Sequence, residues 1–146
     1  MHPSYSTPHY TRLTFNMSID SGSNYNISKT TTAFSSQHGE SGSGAELNNE
    51  ASLDLAEGTG FQQIVDGDTG GDNDQSCAGY LHLFNPSSTT FVKHFISKTH
   101  TSTADDSART TYNAGYFNTT SAVDEIQFKM STGDIDAGDI CLYGIK

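Results

Sequence analysis

Apolar and polar residues alternate along most of this chain, and a helical period is nearly absent. Leu13, Phe15, Met17 and Ile19 alternate with Thr14, Asn16 and Ser18, which predicts a half-buried strand. Tyr25 and Ile27 open a second extended segment that runs through Thr30, Thr31 and Thr32 to Phe34. Residues 35–49, SSQHGESGSGAELNN, read as a polar surface loop. Short apolar segments follow at 51–56, where the stretch 51–58, ASLDLAEG, would also tolerate helical geometry, and at 61–65, closed by Asp66-Gly67. The stretch DGDTGGDNDQS is the densest in turn-forming residues. Residues 77–84 and 89–96 then predict an antiparallel hairpin around Asn85-Pro86-Ser87-Ser88, with Phe84 opposite Phe91 as a buried pair. After a polar connection at 99–108, strands are expected at 111–117, 122–130 and 139–145.

Strands at this spacing, joined by turn-rich segments, predict an all-β fold, an antiparallel jelly-roll-like β-sandwich of about eight strands. Alternation with one polar face favours antiparallel pairing, because parallel strands covered on both sides read as continuous apolar runs. The length of 146 residues suits one domain, with residues 11–146 forming the sandwich and residues 1–10 an extended N-terminal arm. Tyr5, His9 and Tyr10 are the side chains such an arm would use to contact a neighbour.

Composition narrows the function. Seven Lys plus Arg against seventeen Asp plus Glu give a net charge of −10, a balance that repels phosphate and disfavours a nucleic-acid partner. Charged residues make up only 16% of the chain, and nineteen Ser with eighteen Thr fill the difference. Fifteen Tyr and Phe supply core material, which separates this chain from a disordered polar tail. No apolar run is long enough to cross a bilayer, and Met1–Tyr10 lacks the apolar stretch of a secretory signal. Cys77 and Cys141 allow one disulfide or none.

The candidate chemistry is thin. Asp66, Asp68, Asp72 and Asp74 cluster among glycines, as calcium loops do, but the EF-hand pattern fails at Gly70 and Cys77, so the stretch reads as a solvated turn. His82 and His94 fall on neighbouring strands of the expected hairpin, yet no zinc-ligand spacing accompanies them. Gly42-Ser43-Gly44 lies in a polar loop and makes no nucleophile elbow. No catalytic residue, metal ligand or cofactor is expected. Tyr5, Tyr10, Tyr112 and Tyr116 could cradle a sugar. Sequons at Asn16, Asn26 and Asn118 carry little weight in a chain this rich in Ser and Thr.

The C-terminal half, with YLHLFNPSSTTFVKHFISKT followed by AGYFNTTSAVDEIQFKMSTGDIDAGDICLYGIK, resembles small virion structural proteins of tailed bacteriophages that infect aquatic bacteria. The shared pattern is a strand ending Leu-Phe-Asn-Pro, a strand opening Thr-Phe-Val-Lys, a Gly-Tyr-Phe segment, a Val-x-x-Ile-x-Phe strand and the closing Gly-Asp-Ile-x-Leu-Tyr-Gly-Ile. The resemblance implies a capsid decoration (cement) protein on the head surface, assembled in the host cytoplasm. The major capsid protein and further copies of itself, as a homotrimer, would be its partners, with neither nucleic acid nor membrane. A receptor- or glycan-binding head or tail fibre module is the alternative, although 146 residues leave no room for a fibre shaft.

Overall fold

In a computed structural model that describes residues 1–3 and 11–145, the chain is all-β and the described residues contain no helix. Its strands are β1 (His2–Pro3), β2 (Leu13–Ser18), β3 (Lys29–Gly39), β4 (Glu46–Asn49), β5 (Gln62–Gln63), β6 (Cys77–Leu83), β7 (Lys93–Ser102), β8 (Ser107–Phe117), β9 (Glu125–Met130) and β10 (Ile135–Ala137). All pairings are antiparallel. A five-stranded sheet in the order β4-β3-β8-β7-β6 faces a three-stranded sheet in the order β5-β2-β9, and β1 pairs with β10. The sandwich is therefore present. The jelly-roll winding is not established by this order, since β6, β7 and β8 run as a simple meander within one sheet.

Four phenylalanines join the layers. Phe15 of β2 lies 5.0 Å from Phe95 of β7 and 5.7 Å from Phe117 of β8 in edge-on contacts, and 6.1 Å from Phe128 of β9. Leu13, Met17, Ile27, Ile64, Val65, Cys77 and Met130 complete the apolar centre. β2 was expected to bury one face, yet all six of its residues are buried. Its polar positions are satisfied locally, with Thr14 Oγ1 donating to Lys129 O at 2.9 Å and Asn16 Nδ2 to Tyr25 O at 2.5 Å.

Residues 62–70, expected as a strand end and an exposed turn, form a buried strap under the inner face of β7 and β8. One side of the strap follows β2, where Ile64 N–H donates to Leu13 O at 3.0 Å. The other side meets side chains along residues 63–66 and backbone at residues 68–70, where Ala104 N–H donates to Asp68 O at 3.1 Å and Gly70 N–H donates to Ser102 O at 3.4 Å. Thr99 Oγ1 donates to Ile64 O, Asn113 Nδ2 donates to Gln63 O at 3.1 Å, and Asp66 N–H donates to Thr111 Oγ1 at 2.8 Å. The chain's two arginines pin the same strap, Arg109 Nη1 reaching Asp66 Oδ2 at 3.0 Å and Arg12 Nε reaching Asp68 Oδ1 at 3.2 Å. Gly67 has φ of +77°, where other side chains are strained, and a Cβ there would stand 2.8 Å from Arg109 Nη1 and displace the guanidinium that holds Asp66.

Two lysines are also enclosed. Lys29 and Lys93 lie opposite Phe117 from either side, with their stems covering one end of the core. Lys29 Nζ donates to Gly60 O at 2.6 Å, and Lys93 Nζ donates to Phe91 O at 2.7 Å. Burial lowers Lys29 from 10.5 to about 8.

Several expected elements shift. The polar stretch 35–49 is mostly strand, a β3–β4 hairpin whose exposed turn spans 40–45. The connection at 99–108 shrinks to a turn at 103–106, because Thr99 and Thr101 extend β7 with their hydroxyls inward. Residues 51–56 form neither strand nor helix, and 139–145 join no ladder. The Asn85 turn is present, with Ser88 N–H donating to Asn85 O at 3.1 Å, but β7 starts only at Lys93. Leu83 therefore faces Phe95, and Phe84 and Phe91 are 47% and 68% exposed rather than a buried pair. Met1 bonds Cys77 and β1 pairs β10, so the first three residues of the expected arm are tied to the sandwich. Tyr5, His9 and Tyr10 lie outside the described residues.

Phe95→Ala should lower unfolding free energy by about 3–5 kcal/mol, whereas Phe84→Ala and Phe91→Ala should each cost less than about 1 kcal/mol. Denaturant titration of the three variants checks this. For Lys29, the unfolded chain holds a proton that the folded chain releases between about pH 8 and 10.5. Its share of stability is accordingly unfavourable below pH 8 and recovers as pH rises through that window. The stability of the wild type relative to Lys29→Met should shift in favour of the wild type from pH 7 to pH 10. A difference independent of pH would contradict the assignment.

Candidate docking face

Alternation along β3, β6, β7 and β8 sends every second side chain outward and, by register, lines those residues up in rows across the five-stranded sheet. One row reads Phe34, Tyr112, Lys98 and Tyr80, and another reads Thr30, Tyr116, His94 and Phe84. Phe34 and Tyr112 stack with centroids 4.7 Å apart and planes 9° from parallel, and Lys98 Nζ stands 5.2 Å from the Tyr112 ring centre. His94 packs 5.9 Å from Tyr116, and His82 packs 5.0 Å from Tyr80. Tyr80, Phe84, Ile96 and Phe34 are each about half exposed.

The outward positions of these four strands carry no carboxylate, in a chain that has seventeen. They do carry four of the six histidines, His38, His82, His94 and His100. The result is an acid-free, ring-rich platform on an acidic protein. An open trough of about 520 Å³ crosses it, floored by Ala114, Gly115 and Thr32 and walled by Phe84, His94 and Tyr116. Small residues make the floor. At Gly115 a Cβ would come within 2.5 Å of Thr30 O, so β3 and β8 approach closely only because that position is glycine.

The structure separates the other candidates. Asp66 and Asp68 are each held by an arginine, facing different partners, so the acidic stretch does not converge as a calcium loop would require. Among the described residues, no three His, Cys, Asp or Glu side chains gather as metal ligands. His82 and His94 share the outer face but sit in different rows, His82 opposite Ile96 and His94 beside Phe84. Both cysteines are free; Cys77 is buried, which pushes its thiol upward and keeps it protonated, and Cys141 is exposed. Asn16 is fully buried with its amide bonded inside, so that sequon cannot carry a glycan. Tyr112 and Tyr116, expected as sugar-facing rings, do meet on one surface. Phe34 and Lys98 were missed as partners in this surface and His94 was weighed only as a metal ligand, although their outward parity follows once the registers of β3 and β7 against β8 are known.

Compared with protein-family models, curated proteins and solved structures, the chain finds no match.

Proposed function

We propose that this protein is a non-catalytic virion structural module, a decoration (cement) protein that attaches to the head surface of a tailed phage through the outer face of its five-stranded sheet. The observation that carries the reading is the exclusion of carboxylates from that one face while the chain as a whole holds a charge of −10. The buried centres of protein interfaces are depleted in charge and enriched in Tyr and Phe, because ionised groups are costly to strip of water. A face built from Phe34, Tyr80, Phe84, Ile96, Tyr112 and Tyr116 meets that requirement, and the acidic remainder resists nonspecific association. The trough accepts an apolar side chain of the major capsid protein, and repetition over a shell makes a modest single contact sufficient.

A second reading has its own observation. The trough's walls are rings, Phe84, Tyr116 and His94, and flat sugar faces stack on such walls, so a glycan-binding head or tail module uses the same surface.

Counting copies on purified particles tests the first reading. Hundreds distributed over the head are expected, and Tyr112→Ala with Tyr116→Ala should release the protein from particles while leaving its thermal transition in place. A few copies confined to the tail would overturn decoration. Saturable binding to a glycan array, lost in the same double variant, would establish the second reading.

A further inference from the structure

β6 is the outer strand of the five-stranded sheet, and half of its backbone groups face away from β7. Cys77 marks which half. On that free side the Met1 amine donates to Cys77 O at 2.5 Å, and Cys77 N–H donates to Met1 O at 3.1 Å. Residues of the other parity bond inward, as Phe84 N–H does to His94 O at 2.9 Å. The N–H and C=O groups of Gly79, Leu81 and Leu83 therefore point outward, and no described residue pairs with them. Their neighbourhood is apolar, since Leu81 and Leu83 are half-buried against the core.

The C-terminal segment begins one strand further out. β1 continues from Met1, and β10 pairs with its far side, His2 lying opposite Ala137. Gly138 sits against Met1, where a Cβ would be 3.0 Å from Met1 Cγ. The tail thus departs two strand spacings from β6, about 9.6 Å, and in the direction of β6, because two antiparallel steps restore the original sense. From Asp139 to Ile145 it joins no ladder and makes no hydrogen bond among the described residues. Yet it is built as a strand. Ile140 and Leu142 fall on one parity and Tyr143 and Ile145 on the other, and the last three of these are 80–89% exposed.

We propose that two copies of this chain pair by exchanging these tails, each tail lying antiparallel between β6 and the tail of the other copy. The order across the junction is β6, partner tail, own tail, partner β6, which continues the five-stranded sheet of one copy into that of the other. The two-fold operation makes all three new ladders antiparallel, matching every pairing already in the fold. Only two copies close it, because a third would present each tail with three partners for two edges. Two thus replaces the homotrimer that the virion resemblance implies, and the pairing holds whether or not the protein coats a phage.

Sedimentation equilibrium of the full chain decides the matter. The wild type should show twice the 15.7 kDa chain mass. Leu142→Asp should show the single mass with an unchanged thermal transition, since Leu142 is 89% exposed and lies outside the core cluster. Leu83→Pro, which removes one outward N–H from an edge strand, should also show the single mass, with a lowered thermal transition because Leu83 packs against the core. Amide exchange at residues 140–144 should be slow in the wild type and fast in Leu142→Asp. A single mass for the wild type at every concentration, a threefold mass, or a twofold mass that survives Leu142→Asp would each overturn the proposal.

Discussion

The buried backbone of residues 62–70 sets the terms for the rest of the molecule. A strap enclosed beneath a sheet cannot leave its N–H and C=O groups unpaired, at roughly 1–3 kcal/mol each. One of its sides follows β2, and the other finds backbone partners only at residues 68–70, leaving residues 63–66 with no strand there. The other side is met by Thr99, Thr111 and Asn113, short polar side chains on the inner face of β7 and β8. A fully apolar inner face would pack as well and satisfy none of these groups. The sandwich therefore has two kinds of interior, a phenylalanine centre around Phe15 and a hydroxyl-lined flank over the strap.

That division accounts for the composition and for the distribution of charge. Many of the Ser and Thr residues that look like surface decoration are interior, among them Thr31, Ser35, Ser97, Thr99, Thr101 and Thr111. Both arginines bind the strap, and Lys29 and Lys93 cover one end of the core, so four of the seven basic residues are fixed in structural roles. What remains outside is acidic except on the outer face of the five-stranded sheet, where rings and small residues stand in place of carboxylates. Hydroxyls inward and aromatics outward invert the usual arrangement along β8, where Thr111 and Asn113 are buried and Tyr112 and Tyr116 are accessible.

This inversion explains which parts of the fold were legible in the sequence. β2, β6 and β9 could be read because their apolar residues occupy one parity and face the core. The alternation of β7 and β8 was visible, but parity alone does not say which side is inside, and Phe84 with Phe91 was placed on the wrong one. The strap was illegible, because Asp and Gly signal a turn locally and its partners Arg109, Thr99 and Thr111 lie more than thirty residues away. Of the docking face, Tyr112 and Tyr116 were identifiable as ring donors. Their grouping with Phe34 and Lys98 depends on the registers of β3 and β7 against β8, which no turn signal in the sequence located.

Native-state hydrogen exchange at the Asp66 amide tests the central claim most directly. Its acceptor is a buried threonine hydroxyl, so it should exchange as slowly as the amides of Phe15 and Phe95 in the phenylalanine core. Exchange at the rate of the exposed turn at 40–45 would mean that the chain between β5 and β6 is an ordinary surface loop, and the hydroxyl-lined interior would lose its reason.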